Sequence, residues 1–200
     1  MRINPRKTPS LSISLLSGSP HKRLYAGLSV LLMLCYASWQ HYGPSSSGPL
    51  SSRISGTVVA VADGDTITVL DASQRQHKIR FAFVDAPEKT QPYGQLAKQV
   101  LAGKVFRQQV SVDVLEQDKY GRNVGRVWLN GEDINFSQLL AGLAWHYQFF
   151  ARKSQGRDEF KRYEAGQQQA QQQRLGLWQA ATPVPPWDYR RNRKQAAGGE

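Results

Sequence analysis

Between Thr57 and Leu129 the chain repeats one pattern: apolar residues at every second position, in short runs broken by turn-forming residues. Side chains alternate across a strand, so such runs make short strands with one dry and one wet face. Thr57, Val59 and Val61 share one face of a first strand. Ile67 and Val69 belong to a second, and Ile79, Phe81 and Phe83 to a third. Asp63-Gly64-Asp65 joins the first two as a hairpin turn. Val110, Val112 and Val114 alternate again, as do Val124 and Arg126 against Val127 and Leu129, with Asn130-Gly131 as a strong turn signal. Helical spacing replaces alternation in three places. Tyr93 to Lys104 carries Leu96, Val100 and Leu101; Asp133 caps a helix with Phe136, Leu139, Leu140 and Leu143; and Asp158 to Gln173 turns Phe160, Tyr163 and Ala170 inward. Five short strands with intervening helices predict an α+β domain built on a five-stranded β-barrel of the OB type.

The rest of the chain flanks that domain. One cysteine, Cys35, allows no intrachain disulfide, so a disulfide-stapled scaffold is excluded. Residues 1–23 are basic, and an apolar segment occupies 24–42, with Trp39 and Tyr42 at its far end. Its clearly apolar part, Leu24 to Trp39, falls slightly short of the ~17–25 residues that span a bilayer. It reads as a membrane anchor or a signal peptide; a buried core helix fits poorly between the basic residues and the Gly/Pro/Ser linker at 43–53. Either surviving reading places the barrel domain outside the cytoplasm, bound to the membrane or secreted. Net charge is +11, and residues 51–200 remain basic without the leader, which suits a nucleic-acid partner. Residues 181–200 read as a Pro-rich tail in which Pro183, Pro185 and Pro186 break regular structure and Arg190 to Lys194 form a basic run.

Three clusters carry chemistry: Asp63-Gly64-Asp65-Thr66, the segment from Arg80 to Glu88, and Asp118-Lys119-Tyr120-Gly121-Arg122. Each alone has an ordinary explanation, as a turn, a wet strand face or a helix start. Together they hold the parts of metal-assisted displacement at phosphorus. Asp65 and Asp85, at the ends of neighbouring strands, offer two carboxylates, with a nearby carbonyl as a third hard oxygen donor. Glu88 can hold a water beside the metal, while Arg80 and Arg122 offer guanidinium forks for phosphate oxygens.

These motifs, in this order, resemble the staphylococcal nuclease-like (thermonuclease) family. The family's Asp-Gly-Asp-Thr turn, Arg-x-x-x-x-Val-Asp-x-Pro-Glu segment and Asp-Lys-Tyr-Gly-Arg segment are all present. The similarity runs from about Ile54 to Trp178 and includes Gly142-Leu143-Ala144 and Leu175-Gly176-Leu177-Trp178, which sets the nuclease-like domain at 54–180. The resemblance implies an OB-fold barrel with packed helices and Ca²⁺-dependent cleavage of DNA and RNA, endonucleolytic, leaving 3′-phosphate and 5′-hydroxyl ends. It implies Asp65 and Asp85 as metal ligands with the backbone carbonyl of Ala86, where the family's best-known member has Thr. Arg80, Glu88 and Arg122 become the catalytic residues. Tyr120 and Tyr147 are the candidate substrate contacts, and the protein is expected to be a monomer. His77 and His146 read as ordinary structural histidines.

A non-catalytic OB-type nucleic-acid-binding module is the alternative. A binder has no need of Asp65, Asp85 and Glu88, which repel phosphate unless a cation lies among them. Cleavage of DNA in Ca²⁺ against EGTA separates the two readings.

Overall fold

A computed structural model describes residues 52–197. The expected basic leader, the anchor or signal segment and nearly all of the linker lie outside the described residues. Among the described residues, no helix is long and apolar enough to cross a membrane.

The barrel forms as the alternation predicts. Strands β1 (Arg53–Val61), β2 (Thr66–Asp71) and β3 (Gln76–Phe81) make an antiparallel meander, and a two-residue β4 (Val84–Asp85) comes next. Strand β5 (Gln109–Gln117) pairs antiparallel with β1, β6 (Asn123–Leu129) pairs with β5, and a parallel β3–β6 pairing closes the five-stranded barrel. Val58, Ile67, Val69, Ile79, Phe81, Val110, Val112 and Val127 fill its interior. Burying each such side chain contributes about 1.5–3 kcal/mol relative to leaving it in water.

Among the described residues, five α-helices accompany this barrel. Helix α1 (Gly94–Val105) leads into β5, and the short β7 (Glu132–Asp133) leads into α2 (Ile134–Leu140). The two-residue β8 (Trp145–His146) pairs antiparallel with β4 and precedes α3 (Gln148–Ser154), α4 (Arg157–Gln172) and α5 (Pro186–Ala197). Asp133 caps α2 as expected, accepting a hydrogen bond from the Phe136 amide at 3.0 Å. Tyr163 and Ala170 of α4 are fully buried and Phe160 partly so.

The structure corrects the sequence reading in four places. In β1 the dry residue is Val58, not Val59, because a bulge between Val58 and Ala60 shifts the register and switches which parity faces inward. In α1 the inward face is Gly94, Ala97, Leu101 and Val105, while Leu96 and Val100 are exposed. Phe83 is buried but lies beyond the end of β3, at a positive φ of 66° that turns the chain toward β4. The Pro-rich tail is not irregular throughout, since Pro186 opens helix α5. A proline at a first helical position costs no hydrogen bond, and Asp188 in the same turn suits the positive helix start.

Candidate active site

The Asp-Gly-Asp turn between β1 and β2 brings Asp65 to one edge of the barrel. The Asp63 carboxylate accepts from the Asp65 amide at 3.1 Å, which tightens the turn. Gly64 belongs there for steric reasons: a Cβ at this position would come within 2.7 Å of the Cβ atoms of both Ala86 and Ala97. Gln138, buried in α2, fixes the same turn by donating to the Gly64 carbonyl at 2.8 Å. Asn135 does the equivalent on the other side, donating to the Ala82 and Gly125 carbonyls at 3.0 and 3.1 Å and so holding the chain that runs from β3 to β4. Buried amides of this kind carry no hydrophobic periodicity, and nothing in the alternation singled them out.

Asp65, Arg80 and Asp85 form one cluster. Arg80 reaches from the end of β3 to place Nη1 2.7 Å from Asp65 and Nη2 2.7 Å from Asp85. Its Nη1 also donates to the Val84 carbonyl at 3.1 Å. The Ala86 amide donates to Asp65 Oδ2 at 2.6 Å, so Asp65 meets the backbone immediately after Asp85. Both carboxylates are buried. Burial pushes the Asp65 carboxyl up to about 8, against the opposing pull of Arg80 and the Ala86 amide. Asp65 is therefore an acid whose ionisation depends on the positive charge gathered around it. Burial also works against the Arg80 charge, but Asp65 and Asp85 outweigh it and hold the guanidinium above its ordinary range.

Among the described residues, no three His, Cys, Asp or Glu side chains cluster closely enough to hold a metal by themselves. The donor set here is instead the two carboxylates of Asp65 and Asp85, hard oxygen donors already packed around a cationic group. That composition fits a hard divalent cation.

Glu88 lies at the rim, less buried than Asp85. The loop carrying it is fastened by Gln91, whose Oε1 accepts from the Glu88 amide at 3.2 Å and whose Nε2 donates to the Val184 carbonyl at 2.5 Å. Arg190 of α5 connects Glu88 to the cluster. Its Nη1 is 2.8 Å from Glu88 and its Nη2 is 2.8 Å from Asp85. The first residue of the basic run thus enters the site from 105 positions beyond Asp85. Its one advance signal was the helix start at Pro185-Pro186, ahead of Asp188.

Arg122 and Tyr120 lie on the β5–β6 turn, bonded to neighbours on that turn rather than to the carboxylates. Arg122 Nε binds Asp118 at 2.7 Å, and Tyr120 is 73% exposed with the Lys119 and Arg122 cations against its ring. Burial is the largest single influence on Asp118 and raises it, but the Arg122 and Tyr120 amides and the Arg122 guanidinium outweigh it and hold the carboxyl low. In the parallel pairing Arg80 is opposite Val124, and Arg122 lies in the turn just before that strand begins. Tyr147 lies near Asp85 and Arg190. Its ring stacks on Trp187 of α5 at 4.9 Å and 7°, and its amide donates to the Phe83 carbonyl at 2.8 Å. His77 binds Asp71 at 2.8 Å and His146 binds Gln155 at 3.0 Å, both away from the carboxylates.

Comparison with known proteins agrees with this architecture. The family model described as staphylococcal nuclease homologue matches residues 78–180. An Escherichia coli protein named Protein ParB is 39% identical over 154 residues, covering 72% of this chain and 84% of the relative. An uncharacterized endonuclease of Escherichia coli O157:H7 is 38% identical, covering 70% of this chain and 88% of its own. A micrococcal nuclease of Shigella flexneri is 36% identical, covering 75% and 88%. The chain belongs to the staphylococcal nuclease homologue family.

Proposed function

We propose that this protein is a Ca²⁺-dependent nuclease that hydrolyses phosphodiester bonds within DNA and RNA, leaving 3′-phosphate and 5′-hydroxyl ends. The observation that carries the reading is the pairing of buried Asp65 and Asp85 through the Arg80 fork, with the Ala86 peptide bonded to Asp65. A pure binding module gains nothing from carboxylates buried at such a site. Family membership and the names of the endonuclease and micrococcal nuclease relatives support the same class of reaction.

In this reading Asp65, Asp85 and the Ala86 carbonyl hold the metal. When bound, Ca²⁺ supplies Lewis-acid polarisation of a phosphoryl oxygen. Glu88, at the wetter rim of the cluster, orients a water and accepts its proton as the water attacks phosphorus. Arg80 offers the edge of a charged fork whose position is fixed by Asp65, Asp85 and the Val84 carbonyl. Asp118 takes only Nε of Arg122, so that contact does not use the terminal nitrogens, which serve the charge that builds on the phosphoryl oxygens. Arg122 acts by hydrogen bonding and charge, since a group with a pKa above ~12 is a poor proton donor. Tyr120 and Tyr147 contact the nucleotides near the cut. The leader, as anchor or signal, exports the domain to meet extracytoplasmic nucleic acid, and the domain acts as a monomer.

The test is incubation of plasmid and heat-denatured DNA with the purified protein in Ca²⁺ or in EGTA, with end-group analysis of the products. Cleavage in Ca²⁺ alone, yielding 3′-phosphate ends, is expected. Binding without cleavage in either condition would contradict the reading.

A further inference from the structure

Arg190 is a charged group at the site that catalysis by Arg80, Glu88 and Arg122 leaves unused. Its two terminal nitrogens are committed to carboxylates: Nη2 to Asp85 Oδ2 at 2.8 Å, and Nη1 to Asp85 Oδ1 at 3.2 Å and to Glu88 Oε1 at 2.8 Å. Together with Arg80, it leaves Asp85 facing guanidinium on both sides. Burial works against the Arg190 charge, but the bonds to Asp85 and Glu88 outweigh it and keep the group firmly protonated.

The helix that delivers it is docked by specific contacts around the same site. Tyr189 meets Thr90 through its hydroxyl at 3.1 Å from Thr90 Oγ1 and 3.2 Å from the Thr90 carbonyl. Gln91 binds the Val184 carbonyl just before α5 begins. Trp187 stacks on Tyr147 and packs edge-on against Trp145, the strand partner of Asp85. Loop 88–91, β8 and α5 therefore form one local unit built on the carboxylates.

We propose that Arg190 is an internal counter-cation for Asp85 and Glu88, and that docking of α5 competes with binding of a divalent cation at those carboxylates. The proposal rests on the metal reading of Asp65 and Asp85. The reason is charge. Arg190 is the guanidinium bonded to Glu88 and one of the two bonded to Asp85, so withdrawing it leaves Asp85 with Arg80 alone and Glu88 without its guanidinium. A divalent cation and Arg190 seek the same oxygens of Asp85 and repel each other at that distance in a poorly solvated site. Metal uptake therefore loosens α5, and with it the Trp187 face over Tyr147, so the cation that prepares the site also uncovers one of its flanks. Arg190 gives buried Asp85 a second guanidinium beside Arg80.

The experiment measures Ca²⁺ binding to the full chain by calorimetry and amide hydrogen exchange across residues 186–197 with and without Ca²⁺. Arg190→Ala is expected to bind Ca²⁺ at least about tenfold more tightly than wild type. Trp187→Ala, which weakens docking without touching a carboxylate, is expected to shift affinity the same way by less. In the wild-type protein, Ca²⁺ is expected to speed exchange in α5. Equal or weaker Ca²⁺ binding by Arg190→Ala overturns the proposal. So does unchanged or slowed α5 exchange in wild type, a result that needs no variant to fold. If neither wild type nor Arg190→Ala binds Ca²⁺, the metal reading itself fails and takes the proposal with it.

Discussion

Asp85 and Asp133 are both buried carboxylates facing arginine, yet the protein surrounds them with different kinds of partner. Asp133 accepts from the Phe136 amide, from the Tyr163 hydroxyl at 2.9 and 3.0 Å, and from Arg162 at 2.7 Å. Its donors come from the start of α2 and from α4 packed beside it, so the acid fastens two helices together. Among the described residues, the side-chain partners of Asp85 are only Arg80 and Arg190. Amides and phenols of packed helices cannot be exchanged for a metal ion or a phosphate without unfolding something, whereas guanidiniums on long side chains can. Burial of a charge is therefore not the mark of function here. The mark is a buried charge whose partners are replaceable.

The largest expected effects sharpen this contrast on the side of Asp85. Removing one preorganised electrostatic group at such sites costs roughly 10²–10³ in kcat. Arg122→Ala and Glu88→Gln should each lose at least that much in nuclease assays, with circular dichroism unchanged. Glu88→Gln should still bind DNA as wild type does, because Glu88 adds nothing favourable to a bound phosphate before the reaction. Arg80→Lys should be impaired as well, since a point charge cannot bridge Asp65 and Asp85 as a fork does.

Asp133→Ala tests the other half. Deleting it orphans the Tyr163 hydroxyl and the Phe136 amide and unpairs Arg162, which is half-exposed and so recovers hydration. A loss of about 2–3 kcal/mol in urea unfolding is expected, with turnover per folded molecule unchanged. A stability loss in Arg122→Ala as large as in Asp133→Ala would erase the distinction.

Smaller effects are expected further out. Neutralising Arg191, Arg193 and Lys194, beyond the residue that enters the site, should lower DNA affinity and flatten its salt dependence by at most about 0.7 per contact on single strands while leaving kcat alone. Asp71 is a surface counterpart of Asp133, organising the β2–β3 turn. The hydrogen bond from His77, with the Arg75 and Ser73 amides, holds its carboxyl down to about 2 from an ordinary 3.8. A depressed folded pKa contributes stability that is present above pH 3.8 and lost as pH falls toward 2. Asp71→Asn should flatten the stability–pH curve within that window and leave the curve above it parallel to wild type. An unchanged slope between those values would remove Asp71 from the acid response.

Much of this was legible in the sequence, for identifiable reasons. The barrel strands announced themselves because burial on one face imposes alternation, and Asp65, Arg80, Asp85 and Glu88 fall within 24 residues on adjoining strands and their turns. The Val58 bulge was not legible, because one extra residue changes parity without changing composition. The inward face of α1 was legible only at Leu101, because Ala97 and Gly94 bury close backbone approaches that carry no hydrophobic signal, and a Cβ at Gly94 would fall 1.9 Å from the Glu88 carbonyl. Arg190 was hidden in a charge run. Only the fold brings it to Glu88 across 102 residues.

The central claim is that Asp85 serves chemistry and Asp133 serves the fold. The most direct measurement is single-turnover cleavage of heat-denatured DNA in Ca²⁺ by Asp85→Asn, with wild type and a thermal unfolding check alongside. The expected result is a folded protein that cuts at least about 10²-fold more slowly, as for loss of a group central to an electrostatic site. A folded Asp85→Asn protein that cuts at the wild-type rate would contradict it.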